Sequence, residues 1–266
     1  MKELIIVTGA TGGMGYEAAK HFHKDFDLLL LDIDSKKLEV VSKELGNQDF
    51  LKFDITSEEN IKSLVNYLKS KGKFKHLLHF AGVSESMGNS ELIYKINLVG
   101  TKNLLDAIYD YIKPGGVIIN TSSITAYQTP MPIEALPFLL EPLKDDFISN
   151  ILKYTKTTGD AYGFSKRGVI ELTKNEVVKW GLKGVRIVSI SPGAIKTPMV
   201  AKEMETHKEA IDQLISLTPV KRIGLPEDIV NLVEFLISDK ASFITGTDIL
   251  IDGGVVEAFK VYAKQS

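Results

Sequence analysis

The sequence predicts an α/β protein built on a doubly wound, Rossmann-like parallel sheet of about seven strands with helices on both faces. Three observations predict it. Short aliphatic runs recur along the chain, amphipathic helical stripes lie between them, and a glycine-rich turn follows the first run.

The runs occupy residues 4–8, 28–32, 50–53, 76–80, 117–121, 185–190 and 248–251. Each is strand-length, and each is apolar throughout rather than alternating. That pattern belongs to parallel strands covered on both faces. Between the third and fourth runs, Ile61, Leu64, Val65 and Leu68 fall at i, i+3, i+4 and i+7, which predicts a helix over 57–71. Ile229, Leu232, Val233 and Leu236 repeat that spacing over 226–238. Pro226 and Glu227 suit the first turn there, where a missing N–H costs little and an acidic side chain favours the helix dipole. One stretch departs from the alternation. Residues 128–160 carry Pro130, Pro132, Pro137 and Pro142, the apolar Phe138-Leu139-Leu140, and no clear strand. That is too long for an ordinary connection. The expected organisation is one dinucleotide-binding and catalytic domain over 1–266, with an insertion at about 128–160 and a lid at about 194–220.

The composition excludes several classes. With 266 residues and 44% hydrophobic content the chain can bury a sizeable core. A formal charge of −2 gives no electrostatic footprint for nucleic acid or an anionic membrane. The absence of cysteine excludes disulfides, thiolate metal sites and a Cys nucleophile. His21 and His23 are two apart, and His76 and His79 are three apart in a strand, so neither pair faces one point and no metal site is expected. No apolar run nears the roughly 20 residues of a membrane span, and the N-terminus carries no secretory pattern. A cytoplasmic protein with no membrane or nucleic-acid partner is expected.

The turn Thr8-Gly9-Ala10-Thr11-Gly12-Gly13-Met14-Gly15 follows the first strand and opens a helical stretch. Glycines let backbone approach a ligand closely, and the helix N-terminus offers unpaired N–H groups to a pyrophosphate. Asp32 ends the second strand, where an acid accepts hydrogen bonds from ribose hydroxyls and repels a 2′-phosphate. No Arg or Lys stands at Gly12, Met14 or Ile33 to offset it, so NAD is expected over NADP. The plain alternative is that Asp32 caps the next helix, for which Asp34 and Ser35 are better placed.

Tyr162 and Lys166 stand at i and i+4, one turn apart on one helix face. A neighbouring ammonium stabilises a phenolate and lowers the pKa of a phenol. Tyr162 would then exchange a proton with an alcohol or carbonyl near neutral pH. On its own this pair is commonly a solvated helix face. Other segments stand in order around it: Phe53-Asp54-Ile55, Phe80-Ala81-Gly82, Ile96-Asn97-Leu98, Asn120-Thr121-Ser122-Ser123, and Ser191-Pro192-Gly193 with Ile195 and Thr197. With Thr8-Gly9-x-x-x-Gly13-x-Gly15 and Asp32, they make the chain resemble a single-domain short-chain dehydrogenase/reductase over nearly its whole length.

The resemblance implies roles. Gly9, Thr11, Gly12, Gly13, Met14 and Gly15 would form the cofactor turn. Asp32 would select NAD, and Asp54 and Ile55 would lie beside the adenine. Ala81 and Gly82 would follow the fourth strand. Pro192, Gly193, Ile195 and Thr197 would contact the nicotinamide amide. Tyr162 would be the general acid/base, and Lys166 would lower its pKa and bind the nicotinamide ribose. Ser123, preferred to Ser122, would bind the substrate oxygen, and Asn97 would hold a water linking Lys166 to solvent. The cofactor carries the hydride chemistry.

Two features depart from the family pattern. His79-Phe80 replaces the usual paired asparagines, and no role is assigned to His79. Ser123 and Tyr162 are 39 positions apart (162 − 123), more than in most members. The enlargement resembles that of 3α-hydroxysteroid dehydrogenase/carbonyl reductase. There it implies altered subunit packing, in a homodimer or homotetramer. An apolar pocket wall and a plain surface insertion are the other two readings of 128–160. The expected function is hydride transfer between NAD(H) and a secondary alcohol or ketone, with a hydroxysteroid or other cyclic alcohol as a candidate small-molecule substrate. An NADP-linked carbonyl reductase and a catalytically silent dinucleotide-binding regulator are the alternatives.

Overall fold

The aliphatic runs become seven parallel strands: β1 (Leu4–Thr8), β2 (Asp27–Asp32), β3 (Asp49–Lys52), β4 (Phe74–His79), β5 (Ile112–Thr121), β6 (Arg186–Pro192) and β7 (Asp248–Ile251). The computed structural model describes residues 2–197 and 208–264. The sheet order is β3-β2-β1-β4-β5-β6-β7. Most strand ends match the sequence reading. β5 begins at Ile112, ahead of the apolar run, because Phe74 pairs with Ile112 before the register shifts.

Helices fill the connections: α1 (Gly13–Phe22), α2 (Ser35–Glu44), α3 (Glu58–Lys71), α4 (Ser90–Tyr94), α5 (Thr101–Ile108), α6 (Thr125–Gln128), α7 (Leu136–Leu139), α8 (Phe147–Ile151), α9 (Thr158–Asn175), α10 (Val177–Gly181), α11 (Lys208–Leu217), α12 (Pro226–Ile237) and α13 (Val255–Tyr262). α3 starts one residue later than expected, with Ser57 capping the N–H of Asn60 at 3.3 Å and Gly72 ending it at φ +97°. α12 opens on Pro226, and Asp228 Oδ2 accepts from Leu225 N at 2.7 Å.

The strands bury both faces, as their uniform composition requires. Ile6, Leu29, Leu31, Leu77 and Ile118 face a core closed by α3, α5 and α9. Ile5, Val7, Leu28, Leu30 and Ile119 face the opposite core, under α1, α2 and α12. The chain builds β1 to β3 outward in one direction and then returns to set β4 on the other side of β1. The crevice at that reversal, beyond the carboxyl ends of β1 and β4, is where open α/β sheets place ligands.

The 128–160 stretch is helical in pieces and enters the core. Ala135, Leu139, Phe147 and Ile151 are buried with Ala161 and Phe164 of α9. Phe147 meets Tyr94 edge-on, with ring centroids 5.8 Å apart. Tyr94 Oη donates to Thr155 Oγ1 at 2.8 Å, and Thr155 passes its own proton to the Ile151 carbonyl at 2.9 Å. The insertion therefore packs on α4 and the first turns of α9. Surface padding does not describe it, and none of its described residues lines the cleft at the strand reversal. Of the lid expected over 194–220, Pro198–His207, with Met199 and Met204, lies outside the described residues, and α11 follows. Among the described residues no helix is long and apolar enough to cross a membrane, and no His, Asp and Glu cluster could hold a metal.

An integral insertion makes a stability prediction. Leu139 is fully buried, whereas Leu140 beside it is 37% exposed. Leu139→Ala is expected to lower the unfolding free energy by about 2–5 kcal/mol, and Leu140→Ala by much less. Urea unfolding measures both, and equal small effects would return the segment to surface padding.

Candidate active site

The glycine turn is shaped by close approach. Gly9 has φ +65°, and a Cβ there would sit 2.9 Å from Ala81 N. A Cβ on Gly15 would lie 2.1 Å from the Gly9 carbonyl oxygen. Neither position admits a side chain, so β1, the start of α1 and the segment after β4 meet backbone to backbone. α1 follows Gly12, its N-cap, without a side-chain capping bond. Its first N–H groups are thus available to an anion at the cleft.

Asp32 stands beside this turn. Its Oδ2 accepts from Thr11 N at 3.0 Å and its Oδ1 from Asp34 N at 3.2 Å. Capping of α2 falls to Asp34, whose Oδ1 accepts from Lys37 N at 3.1 Å, a bond that holds its carboxyl below the usual range. Asp32 is therefore not the helix cap, and each of its oxygens keeps a lone pair for a ligand hydroxyl. The sequence reading missed Lys37, which lines the same wall and lies 3.6 Å from the Asp34 carboxylate. Its place in the first turn of α2, three residues beyond Asp34, was the available signal.

All the residues expected to bind cofactor line one cleft running across the strand ends, and Ser123 lines it with them. Gly9, Thr11, Gly12, Gly13, Met14, Gly15 and Asp32 lie toward one end, with Asp54 and Ile55. The Asp54 carboxylate is set by Thr56, which donates to Oδ1 from N at 2.9 Å and from Oγ1 at 2.7 Å. Ala81 and Gly82 form the middle wall; Tyr162, Lys166, Pro192, Gly193, Ile195 and Thr197 close the other end. A smaller hollow lies between α11, α12 and the end of β7. It is lined mainly by apolar groups such as Leu214, Ile215 and Val255, and it holds neither Tyr162 nor Lys166. Tyr162 and Lys166 line the larger cleft.

Tyr162 and Lys166 are presented by α9, whose start is fixed by a reciprocal cap. Asp160 N donates to Thr157 Oγ1 at 3.0 Å, and Asp160 Oδ2 accepts from Thr157 N at 3.0 Å. The buried Lys166 ammonium donates to the Thr121 carbonyl at 3.0 Å and lies 5.8 Å from the centroid of the Tyr162 ring. Desolvation pushes it down to about 8. Ser123 faces the Tyr162 phenol closely enough to favour its ionised form. Ser122 is directed elsewhere, donating to the Lys166 carbonyl at 2.7 Å. Only Ser123 of the pair thus engages the phenol.

Burial raises the Tyr162 pKa, the Ser123 hydroxyl opposes that, and the Glu85 carboxylate raises it further. Glu85 was not singled out in the sequence. Its Oε2 lies 3.0 Å from where a Gly159 Cβ would project, over the first turn of α9. Only the fold brings these two elements together.

Asn97 sits behind the wall in a π-helical turn, Lys95–Gly100, that joins α4 to α5. Its Oδ1 accepts from Val83 N at 2.9 Å, and its Nδ2 donates to the Val83 carbonyl at 2.9 Å and to Ser165 Oγ at 3.1 Å. Both amide protons are therefore committed to protein groups, and the side chain clamps the segment after β4. His79 and His76 are both buried and hydrogen-bonded, on opposite faces of β4. His79 bonds to Thr8 and Thr101, and His76 Nδ1 accepts from Val117 N.

Known proteins match this arrangement. A sequence profile described as short chain dehydrogenase matches residues 3–135, and one described as enoyl-(acyl carrier protein) reductase matches 149–256. The chain is 29% identical over 273 residues to the short-chain dehydrogenase/reductase bsc3 of Alternaria brassicicola, covering 95% of each. It is 27% identical to a cyclohexanol dehydrogenase of an Acinetobacter strain, covering 94% of each. A solved structure of 4-hydroxyisoleucine dehydrogenase complexed with NADH superposes with a TM-score of 0.76 at 28% identity, over 96% of this chain and 98% of that one. With a family profile over residues 3–135 and relatives that cover nearly the whole chain, the chain belongs to the short-chain dehydrogenase/reductase family of oxidoreductases.

Proposed function

We propose that the protein interconverts a secondary alcohol and a ketone using NAD(H), with Tyr162 as the proton-transfer group. The observation that carries this reading is that Tyr162, Ser123 and the Lys166 side chain line one cleft with the glycine turn. The cleft also fits a dinucleotide: the Gly9 and Gly15 positions leave no room for Cβ atoms, and the α1 N–H groups face it uncapped. A bound nicotinamide supplies the hydride acceptor or donor. Ser123 would hold the substrate oxygen toward Tyr162, which takes the proton in oxidation and returns it in reduction. Lys166, held by Thr121, would bind the ribose hydroxyls and keep positive charge beside the developing phenolate.

NAD is preferred on the charge of the far end. Asp32 and Asp34 place two carboxylates there against the single ammonium of Lys37. The NADH-bound relative fits this reading. Lys37 is also the observation that favours the second reading, an NADP-linked reductase, because it stands on the cleft wall within reach of a 2′-phosphate region. The substrate is proposed as a neutral cyclic or otherwise apolar secondary alcohol. The likeness to a cyclohexanol dehydrogenase supports that class, as do Val83, Ile96 and Ile195 in the wall.

Three outcomes are expected. Tyr162→Phe lowers kcat by about 10²- to 10⁴-fold while NADH still binds, read by NADH absorbance and fluorescence across a panel of cyclic alcohols and ketones. A variant with near-normal turnover removes Tyr162 from the mechanism, and a wild-type protein inert on the whole panel removes the dehydrogenase reading. Asp32→Ala reduces the NAD-over-NADP ratio of kcat/KM by about tenfold or more, which is about 1.4 kcal/mol. A wild-type preference for NADP would instead establish the second reading. The third concerns pH. Oxidation needs the phenolate, and burial raises the phenol, so oxidation rises toward alkaline pH while reduction is sustained at neutral pH. Glu85→Gln removes a charge that disfavours the phenolate, so the alkaline rise moves to lower pH; an unmoved or upward-moved profile contradicts the assignment.

A further inference from the structure

We infer that His79 is a positioning residue for the Tyr162–Lys166 pair, closing a cycle of hydrogen bonds that sets the 81–83 wall and the start of the catalytic helix in register. The inference rests on the proton-transfer reading above. It goes beyond that reading by assigning work to a side chain that touches neither the cleft nor the reacting groups.

The cycle can be followed proton by proton. Ala81 N donates to Thr8 Oγ1 at 3.0 Å. Thr8 donates to His79 Nδ1 at 2.7 Å. His79 Nε2 donates to Thr101 Oγ1 at 2.9 Å. Thr101 donates to the Asn97 carbonyl at 2.8 Å. The Asn97 amide then grips Val83 at both its N–H and its carbonyl, each at 2.9 Å. Val83 is two residues from Ala81, so the cycle closes through Gly82. From the same Asn97 amide a branch runs to Ser165 Oγ at 3.1 Å, and Ser165 donates to the Tyr162 carbonyl at 2.8 Å.

The Nε2 end of the cycle is fixed by proton count: Thr101 gives its one proton to the Asn97 carbonyl, so it can only accept from the ring, and Nε2 carries a proton. Thr8 Oγ1 accepts from Ala81 N and has its own proton to give to Nδ1, which accepts it when the ring is neutral. The surroundings favour that neutral ring. The ring is 2% exposed, and burial, with the charge of Lys166 adding to it, pushes its pKa down to about 3. The cycle bears on the chemistry at Gly82. A Cβ there would lie 3.1 Å from Asn97 Oδ1 and 3.2 Å from the Lys166 ammonium. The wall, the amide clamp and the ammonium thus meet at a residue with no room to adjust. A ring that merely filled space would not need a donor on one side and an acceptor on the other.

The test uses the full chain with His79→Leu, His79→Gln, Thr101→Val and the His79→Leu/Thr101→Val pair. Gln keeps a neutral donor and acceptor; Leu and Val keep volume and remove hydrogen bonding. The expected result is a loss of kcat of about tenfold to a hundredfold in His79→Leu and in Thr101→Val, with KM for NADH changed much less. The double variant loses no more than the worse single, because both cut one cycle. Gln recovers most of the lost kcat. Two readouts need no turnover: the ring ¹⁵N shifts show the Nε2-protonated neutral tautomer at neutral pH, and Ala81 and Val83 amides exchange faster in both single variants. Folded variants with wild-type kcat and unchanged amide exchange overturn the inference, as do losses that multiply in the double variant. A drop in Tm alone marks His79 as a strut and also overturns it. If His79→Leu does not fold, Thr101→Val and His79→Gln decide. Tyr162→Phe in the same assay separates the two failures, since undiminished turnover there sinks the proton-transfer reading whereas the tautomer and exchange data bear on the cycle alone.

Discussion

A buried ammonium organises the chemistry of this fold. Lys166 is 6% exposed and, among the described residues, no carboxylate pairs with it. Taking an unpaired charge out of water is costly, and the group responds by losing proton affinity, down to about 8. What holds it is a single carbonyl, that of Thr121 at the carboxyl end of β5. The position of that strand end, the turn of α9 that carries the lysine and the Gly82 wall beside it must all be kept for the charge to stay where it is. Tyr162, Ser123 and Asn97 are each attached to one of those three elements.

The sheet supplies the rigidity. Thr8, His79, Asn120, Ser189 and Asp248 are successive in-register partners across β1, β4, β5, β6 and β7. They make a polar row through an apolar sheet, at the level of the strand ends. Two have partners on the helices above, His79 on Thr101 of α5 and Asn120 on Thr173 of α9 at 3.1 Å, while Ser189 donates to Asp248 within the row at 2.5 Å. Buried polar groups are stable only when partnered, so this row ties α5 and α9 to fixed heights on the sheet. The helices bearing the reactive pair and the clamp are thereby registered to the strands that carry the glycine turn and the serines.

The insertion shows how a departure from a regular pattern is absorbed. Its prolines keep it from forming one long helix, and its apolar residues appear at irregular intervals. Leu139, Phe147 and Ile151 nevertheless reach one core, because the segment folds back over α4 and α9. Periodicity carries information only within one regular element. A segment of short turns and single-turn helices distributes its buried residues by tertiary contact, so spacing alone left three readings of 128–160 level.

The strands, the two long amphipathic helices, the glycine turn and the Tyr162–Lys166 pair were legible in the linear chain, because each is a local pattern with a period or a steric requirement of its own. The fold class followed from their alternation, and ordered short motifs pointed to the cleft residues. Tertiary structure decided what depends on residues distant in sequence. It set Ser123 rather than Ser122 against the phenol, brought Glu85 to α9, placed Lys37 on the wall by Asp32, and closed the path from Thr8 through His79 and Thr101 to Asn97. It also set how deeply the phenol is buried. Spacing shows that a cation is near, but how strongly each group is desolvated and which partner already holds the cation depend on every element packed around them.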